Sequence, residues 1–533
     1  MISKFHLQKV PIVVPKVPKK ATFGTTIGTF KVFSIVFPLF YAIFATKLKE
    51  EDMLQNIIGR KREIELIENC INSNKPEFIA IYGRRRIGKT YLVKQLLGEK
   101  FSFYMTGVYQ CSKNEMLAYF SEQLALYSGK KQPRPKTWFE AFSQLRAYLS
   151  TLLEEKEQII IFIDELPWLD TPKSNFIRAL DLFWNGWASD QPSIKFIVCG
   201  SATTWMTNKL LGDKGGLHNR VTRKIYLAPF DLNETELFLQ SKGIVWTRHQ
   251  IAECYMIMGG TPFYLNMIDK QYSLPQNIDM LFFAEGAELS NEYEFLFRSL
   301  FKDSILYRRI VELLAKKKVG MTREDVMKAL HLTSGGKLTE AFNDLISCDF
   351  IRKYSSFGNK ANGAMYQLTD LYTLFYLHYI KGKEETDEHL WSNMIDSPSH
   401  RAWSGYAFEQ LCLHHISQIK KKLGILGVQT NVYSWQQKAN KEKGIEGAQI
   451  DLILDRRDQI INLCEMKYSL KAYDITPAYL QKLLDRREIF RQASNTSKAL
   501  HLTFVTAAGI KKNAQEGMIQ SEVELDDLFG EKV

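Results

Sequence analysis

Residues 78–97 read FIAIYGRRRIGKTYLVKQLL, a short apolar run followed by a glycine-rich loop and an amphipathic segment. The run Phe78–Tyr82 is typical of a buried parallel strand, and the leucines and valine after Thr90 have helical spacing. Between them, residues 83–90 fit the pattern G-x-x-x-x-G-K-[ST] at every fixed position. The sequence therefore predicts a phosphate-binding loop between a strand and a helix.

Each fixed residue of this loop has a physical role beside a chain of phosphates. Gly83 and Gly88 permit a tight turn that brings backbone N–H groups against phosphate oxygens. Lys89 supplies positive charge to the β- and γ-phosphates, and the Thr90 hydroxyl is placed to ligate magnesium. The alternative is a chance glycine-rich turn, which the flanking strand and helix argue against. The predicted nucleotide-binding residues of the loop are Gly83, Arg84, Arg85, Arg86, Ile87, Gly88, Lys89, Thr90 and Tyr91.

A second apolar run, Ile159–Ile163, ends in the carboxylates Asp164 and Glu165. Such a dense run is typical of a central parallel strand covered on both faces. At the carboxyl edge of the sheet, Asp164 is placed to hold magnesium, and Glu165 to orient and deprotonate the attacking water. Alone, the pair would indicate only acidic turn residues after a strand. A third run, Lys195–Gly200, ends at Ser201, which could sense the γ-phosphate or simply form a turn.

The composition is that of an ordinary globular protein, with 45% hydrophobic and 24% charged residues. At 533 residues the chain is too long for one core, and three or four units are expected. The first 50 residues hold eight lysines and one glutamate, so they carry +7 of the net charge of +11 and leave +4 for the remaining 483 residues. The body is only mildly basic, and its charge alone is weak evidence for DNA. The seven scattered cysteines form no C-x-x-C pair, which fits core thiols in a reducing cytoplasm.

Residues 1–52 differ in composition from the rest of the chain and are not assigned to a domain. Prolines and lysines dominate the start, and Val32–Ala45 is strongly apolar but shorter than the roughly twenty residues needed to span a bilayer. Three alternatives stay open: a signal-like or membrane-anchoring segment, a segment packed on the body, or a start placed too early, with translation beginning at Met53. The last is favoured because the globular pattern opens at Met53. A membrane contact is therefore expected only if this extension is translated.

The core of the nucleotide-binding unit is predicted to span residues 53–231. Near its end, Arg220 and Arg223 precede a short strand closed by Pro229 and Phe230. Either arginine could reach a γ-phosphate, in its own chain or a neighbouring one, and neutralise charge in the transition state. The alternative is a solvated basic turn. Arg220 is the predicted catalytic residue, and a homo-oligomer is left open.

The next segment, residues 232–300, is helical by period and is predicted to form a lid over the nucleotide. Within it, Met258–Tyr264 contains two glycines followed by Pro262, a flexible turn with a rigid proline that suits contact with the base. Its alternative is a plain corner between two helices.

Residues 301–382 have a different predicted pattern of secondary structure from the preceding helical segment. Helices are predicted over Ile305–Lys317, Thr322–Leu330 and Lys337–Ser347, followed by a hairpin over Ile351–Leu368. Three helices and a hairpin with a basic tip predict a winged helix, whose third helix would enter the major groove of DNA. The alternative is a winged helix that binds protein, which the acidic residues on the third helix keep open.

The last unit, residues 395–533, carries a second set of charged residues. Asp451 lies on one predicted strand, and Glu465 and Lys467 share one face of the next because side chains alternate along a strand. Two carboxylates can hold magnesium, which activates water, while the lysine orients that water. Glu409, on a preceding helical stretch, could complete the metal site. The alternative is a surface hairpin with alternating charges.

With these motifs, residues 53–533 resemble the archaeal-type ATPases, a family also abundant in bacteria and part of the broader STAND and AAA+ group. The resemblance rests on residues 82–90, Asp164–Trp168, Gly200–Ser201, Arg220 before Pro229–Phe230, and Gly260–Pro262. It implies ATP binding and hydrolysis by the residues assigned above, with the turn around Pro262 near the adenine. The C-terminal part is similar to the PD-(D/E)XK nuclease superfamily, matched by Asp451, Glu465 and Lys467.

The predicted fold class is α/β: a P-loop NTPase parallel sheet with a helical lid, then a winged helix and an α/β restriction-endonuclease-like domain. The predicted function is an ATPase whose nucleotide state controls DNA binding and a magnesium-dependent nuclease, with ATP, Mg²⁺ and DNA as ligands. One alternative is an ATP-gated switch or scaffold whose C-terminal domain binds nucleic acid or protein without cutting. Another is a membrane-tethered ATPase, if residues 1–50 are translated.

Overall fold

The phosphate-loop motif belongs to a five-stranded parallel sheet. In chain order, its strands are β1 (Glu77–Tyr82), β2 (Phe101–Thr106), β3 (Ile159–Asp164), β4 (Ile194–Gly200) and β5 (Arg223–Tyr226). Their order across the sheet is β2-β3-β4-β1-β5, and every neighbouring pair is parallel. β3 and β4 are buried along their whole length, as predicted for central strands. The loops that follow β1, β3 and β4 therefore leave the same edge of the sheet side by side.

The computed structural model describes residues 57–212, 217, 219–301, 303–332, 335–358, 364–382, 387–437, 439 and 447–531. The extension predicted over residues 1–52 and the tip of the predicted hairpin lie outside these residues. From Ile58 onward the chain forms one compact unit. Within the part that is described, no helix is both long enough and apolar enough to cross a bilayer.

Helices connect the strands of the first sheet. They are Lys61–Ile71, Lys89–Leu97, Lys113–Ser128, Trp138–Leu152 and Phe176–Gly186. Ser112 begins one of them with a capping box, in which Ser112 and Glu115 each bind the other's backbone N–H. The apolar sides of these helices and of the sheet form a core rich in aromatic rings, including Phe78, Trp138 and Phe176.

The segment predicted as a helical lid is helical. Its helices are Leu232–Ser241, Arg248–Met258, Pro262–Leu265, Leu274–Ile278 and Glu292–Leu300, with a π-helical turn at Asp279–Phe283. Capping boxes begin three of them, at Asp231, Thr247 and Ser273. In each box the capping side chain binds an otherwise unpaired backbone N–H, which explains where these helices start.

The next segment contains three helices and a small antiparallel sheet. The helices are Ser304–Ala315, Arg323–Ala329 and Gly335–Ser347, and the strands are β6 (Met321–Thr322), β7 (Ile351–Tyr354) and β8 (Met365–Leu368) in the order β6-β8-β7. The predicted helices and hairpin are thus present, and the two-residue strand β6 was missed. The helix Gly335–Ser347 packs against the short helix Thr203–Trp205 after β4.

The C-terminal segment is built on a second five-stranded sheet. Its strands are β9 (Thr430–Gln437), β10 (Ala448–Arg456), β11 (Ile460–Lys467), β12 (Ala499–Thr506) and β13 (Ser521–Glu524). β9, β10 and β11 are antiparallel, whereas β11, β12 and β13 are parallel. Its helices, with those leading into it, are Leu371–Tyr379, Leu390–Met394, Pro398–His414, Ile416–Lys422, Pro477–Ser494 and Leu525–Leu528.

One continuous apolar core joins the segments after the first sheet. It contains buried residues from Phe230 to Phe529, among them Tyr264, Leu345 and Trp391. The segments on either side of residues 300 and 395, where domain boundaries were predicted, share this core. A second, smaller core around Trp435, Phe490 and Phe504 belongs to the C-terminal sheet. Six of the seven cysteines are buried, as predicted for core thiols.

Candidate functional site

The phosphate-binding loop joins β1 to the helix Lys89–Leu97, and its two fixed glycines are required for different reasons. Gly83 has a φ of 146°, and a Cβ there would lie 2.2 Å from the carbonyl oxygen of Leu227. Gly88 has a φ of 88° and precedes the first helical residue, and a Cβ there would meet no described atom within 4 Å. The loop therefore leaves space in front of the helix N-terminus, where an anion binds favourably.

Lys89 is buried inside this loop. Its Nζ donates hydrogen bonds to the carbonyl oxygens of Gly83, at 2.9 Å, and Arg84, at 2.8 Å. Burial lowers the pKa of Lys89, although Glu165 and Asp164 attract its charged form. The lysine thus already lies where a phosphate chain wrapped by the loop would pass.

Thr90 and Asp164 are brought together by the sheet. The Thr90 hydroxyl donates to Asp164 Oδ2 at 2.7 Å, and the backbone N–H of Glu165 donates to Asp164 Oδ1 at 2.9 Å. Burial raises the pKa of Asp164, and the Thr90 hydrogen bond opposes that shift. A hydroxyl and a carboxylate are the hard oxygen ligands that Mg²⁺ prefers, so these residues fit the predicted ion.

Glu165 and Ser201 meet across the neighbouring strands β3 and β4. The Ser201 hydroxyl donates to Glu165 Oε2 at 2.8 Å, and its backbone N–H donates to the same oxygen at 3.1 Å. Glu165 has a φ of 45°, in the left-handed region that non-glycine residues seldom adopt. Two donors therefore fix a carboxylate on a strained turn, which is common at functional sites.

The three arginines of the loop have three different environments. The Arg84 side chain is buried in an ion pair with Asp370 and donates to the Thr261 hydroxyl at 3.3 Å. Arg86 pairs with Glu292 at 2.5 Å, whereas Arg85 is exposed. Asp370 and Glu292 were not found from the sequence, because they lie far along the chain and belong to no motif.

The turn around Pro262 contacts the phosphate-binding loop. Pro262 is the first residue of the helix Pro262–Leu265, and the N–H of Phe263 donates to the Arg86 carbonyl oxygen at 3.4 Å. The Arg86 guanidinium lies 4.3 Å from the centre of the Phe263 ring. The predicted lid segment therefore packs directly on the loop, and contact between Pro262 and a base stays a prediction.

Arg220 lies at the opposite end of the sheet. Thr222, two residues later, donates its backbone N–H to the Phe78 carbonyl oxygen at 2.9 Å, near the start of β1. The phosphate-binding loop follows the other end of β1, about 13 Å away at 3.3 Å per strand residue. This position disfavours a role of Arg220 at the γ-phosphate of its own chain. A role in a neighbouring chain stays a prediction.

Comparison with known proteins identifies the part of the chain that carries this loop. Residues 57–268 match the profile of a family described as an ATPase domain predominantly from Archaea. These residues form an archaeal-type P-loop ATPase domain. An uncharacterised protein of Methanocaldococcus jannaschii is 24% identical over 445 residues, which cover 82% of this chain and 91% of that protein. An uncharacterised ATP-binding protein of the same species is 49% identical over 43 residues, 8% of this chain and 73% of the relative.

Solved structures also resemble the chain. The Walker-type ATPase of Pyrococcus abyssi aligns with 61% of this chain and 97% of its own, at 17% identity and a TM-score of 0.43. We infer the roles of the C-terminal residues from their own contacts.

On the C-terminal sheet, Glu465 of β11 is surrounded by donors. Lys467 Nζ lies 2.7 Å from Oε1, Arg486 Nη1 lies 2.7 Å from Oε2, and the Tyr479 hydroxyl donates to Oε1 at 2.6 Å. Burial acts to raise the pKa of Glu465, but Lys467 and Arg486 outweigh it, and the pKa lies below its ordinary value. Arg486 and Tyr479 were missed because they lie on the later helix Pro477–Ser494.

Glu409 and Asp451 line a separate pocket of about 250 Å³, which we call the acidic pocket. Asp325 and the guanidinium of Arg352 also line it. Burial and the nearby charge of Asp451 raise the pKa of Glu409 to about 8, and burial also raises the pKa of Asp451. Glu409 and Asp451 are thus close, as the predicted metal site requires.

The predicted metal ligands Glu409, Asp451 and Glu465 do not form one ligand set. Across the described ranges, no three histidine, cysteine, aspartate or glutamate side chains are arranged to hold a metal ion. Glu465 instead lies in ion pairs with Lys467 and Arg486. A magnesium site that includes Glu409, Asp451 and Glu465 therefore stays a prediction.

Proposed function

We propose that the chain hydrolyses ATP at the phosphate-binding loop and that the nucleotide state controls its downstream segments. The observation that carries hydrolysis is the meeting of Lys89, Thr90, Asp164 and Glu165 at one sheet edge, with Thr90 and Asp164 joined by a 2.7 Å hydrogen bond. A loop that only bound phosphate would not need a second carboxylate held beside the first. Glu165, held by Ser201, supplies that group.

The residues at this edge of the sheet have different roles in hydrolysis. Backbone N–H groups of residues 83–90 hold the phosphates, and Lys89 exchanges its two carbonyl partners for phosphate oxygens. Thr90 and Asp164 are the residues that would hold Mg²⁺, which when bound neutralises charge on the phosphates. Glu165 orients the attacking water and accepts its proton, and Ser201 keeps the carboxylate in position.

Control of the downstream segments is supported by the arginines of the loop. Arg84 pairs with Asp370 and Arg86 with Glu292, so two residues of the loop each contact a different later segment. A movement of the loop when nucleotide binds would alter both ion pairs. An ATP-gated switch needs such a connection between the nucleotide and its output.

The proposed output includes a winged helix over residues 301–382 with DNA as its partner. Its third helix, Gly335–Ser347, exposes Lys337, Glu340 and Asn343 and packs its opposite side against the ATPase domain. Because this exposed face carries both charges, a protein partner stays the alternative.

Cleavage of a phosphodiester is the second candidate function. It is favoured by the juxtaposition of Glu409 and Asp451 in the acidic pocket and opposed by the ion pairs of Glu465. Nicking of plasmid DNA in Mg²⁺ or Mn²⁺, with and without ATP, tests it. Loss of nicking in Asp451→Ala would support an ATP-regulated nuclease. No nicking by the wild type would leave the non-cleaving switch or scaffold.

The ATPase proposal is tested by phosphate release from Lys89→Ala, with Lys131→Ala as a matched control at an exposed lysine of the same domain. We expect Lys89→Ala to abolish turnover while its thermal unfolding stays close to that of the wild type, and Lys131→Ala to keep full activity. Unchanged turnover in Lys89→Ala would overturn the proposal.

A further inference from the structure

A larger pocket lies beside the helix Pro398–His414, outside the ATP site. Its volume is about 620 Å³, and Leu374, Leu377, Trp403 and Tyr406 form its apolar wall. A concave pocket of this size with an apolar wall and a few polar groups has the form of a ligand site. Neither the ATPase residues nor the nuclease-like residues line it.

The rim of this pocket is cationic, so we call it the basic pocket. Lys316 and Lys318 reach it from the turn after the helix Ser304–Ala315, and His378 and Lys381 reach it from the other side. Lys381 is neutralised by Glu312, which also lines the pocket. Lys316 and Lys318 are exposed, and within the described residues neither forms an ion pair with a carboxylate. The pocket therefore offers two cations to an anionic ligand.

The basic and acidic pockets are neighbours along the same two elements. Lys318 lines the basic pocket and Val319 lines the acidic one. On the helix Pro398–His414, Tyr406 lines the basic pocket, and Glu409, three residues later on the same face, lines the acidic one. The two pockets therefore lie next to each other along the helix, and we call them together the groove.

Lys318 lies at the junction of the two pockets. Its Nζ is 4.9 Å from the centre of the Tyr406 ring. Its charge also acts on Glu409, where it opposes the rise in pKa caused by burial and Asp451. One lysine therefore faces both the apolar wall of the basic pocket and the carboxylates of the acidic pocket.

We propose that this groove binds a single strand of nucleic acid, with phosphates at Lys316 and Lys318 and bases against the accessible part of the apolar wall at Leu377. Cationic grooves with apolar and aromatic walls bind single strands with little dependence on sequence. With a volume of about 620 Å³, the basic pocket is too small to enclose a duplex. The strand then passes Lys318 toward Glu409 and Asp451. This binding requires neither ATP hydrolysis nor cleavage.

The test is binding of a short labelled single-stranded oligonucleotide by fluorescence anisotropy, in EDTA, over a series of salt concentrations. The variant is Lys316→Gln/Lys318→Gln, and the control is Lys130→Gln/Lys131→Gln, which removes the same charge from an exposed loop of the ATPase domain. We expect the groove variant to lose about tenfold or more in affinity. Its salt slope should fall by about 1.4, because each phosphate contact on a single strand contributes about 0.7.

The control and the wild type should bind the oligonucleotide alike. ATP turnover and thermal unfolding should be the same in all three proteins. Loss of oligonucleotide binding by the groove variant is then not caused by unfolding or by loss of ATP hydrolysis. The proposal is overturned if the groove variant binds as tightly as the wild type, or if the control loses as much affinity. It is also overturned if the wild type binds a duplex of the same length more tightly than the single strand.

Discussion

Arg84 of the phosphate-binding loop forms an ion pair with Asp370, which begins the helix Leu371–Tyr379, and the two side chains are only 1% and 3% exposed. The residues are 286 positions apart in the chain. Asp370 also caps that helix, because its Oδ2 accepts the backbone N–H of Thr373 at 2.9 Å. A residue of the ATP-binding motif is thus held by a residue that starts a C-terminal helix.

Removing only one partner of this ion pair should destabilise the folded protein. A buried charge that has lost its partner destabilises a fold by about 3–5 kcal/mol. We expect Arg84→Met and Asp370→Asn each to lower the midpoint of thermal unfolding clearly, and the double variant to lose less than the sum of the two. Asp370→Asn is chosen because asparagine can still cap the helix.

A double-mutant cycle on the unfolding free energies measures this coupling. Lys61→Gln removes a cation from an exposed ion pair with Glu531 and serves as the comparison. It should change stability little, because ion pairs between exposed side chains are screened by solvent and contribute little. Additive losses from Arg84→Met and Asp370→Asn would show that the pair is not coupled.

Glu165→Gln should separate ATP binding from hydrolysis. The amide keeps the shape of the side chain but cannot take a proton from water, and a positioned general base contributes about 100-fold or more. We expect binding of a fluorescent ATP analogue to persist while phosphate release falls by that factor. Ser201→Ala should give a smaller loss, in kcat rather than KM, because it only frees the carboxylate. Wild-type turnover in Glu165→Gln would rule out its role as base.

Glu409 should make stability depend on pH. Its pKa is about 8 in the folded chain against an ordinary value of 4.5, so between these values the folded chain keeps a proton that the unfolded chain has released. Its contribution to stability therefore falls as the pH rises from about 4.5 to about 8 and is constant above. Glu409→Gln cannot ionise, so its unfolding midpoint should rise relative to the wild type over this range.

The control for that experiment is Glu340→Gln, which changes an exposed carboxylate on the helix Gly335–Ser347. Its unfolding midpoint is compared with that of the wild type over the same pH range. Parallel pH curves for Glu409→Gln and the wild type would contradict the burial of Glu409 beside Asp451.

Arg220 gives a prediction about neighbouring chains. Because it lies at the far end of its own sheet, Arg220→Ala should hydrolyse ATP at the wild-type rate in dilute protein. If chains associate and Arg220 reaches a neighbour's nucleotide, wild-type activity per chain should rise with protein concentration and that of Arg220→Ala should not. Reduced turnover of the variant at the lowest concentrations would contradict the described position.

The parts of the fold that the sequence predicted are local. Strand β1, the loop and the helix Lys89–Leu97 lie within 21 residues, and the apolar runs of β3 and β4 are long enough to be recognised alone. Thr90, Asp164, Glu165 and Ser201 were then brought together by a general property of parallel sheets, since the carboxyl ends of neighbouring strands share an edge.

The features that the sequence did not predict depend on the register of the strands and on contacts between residues that are far apart in the chain. Arg220 precedes a strand in the expected way, but only the pairing of Ile79 with Arg223 shows that it lies at the amino end of β1. Asp370 belongs to no sequence motif, because its role is to form an ion pair with Arg84. Similarly, the motif of Asp451, Glu465 and Lys467 does not reveal that Arg486 compensates the charge of Glu465.

The continuous apolar core from Phe230 to Phe529 has a consequence for how the protein can be divided. Cutting the chain near residue 300 or 395 would expose apolar surface on both pieces, so neither fragment should stay soluble by itself. Proteolysis or truncation near these positions should therefore not yield a soluble C-terminal fragment. The groove along the helix Pro398–His414 therefore remains joined to the segment that contacts the phosphate-binding loop.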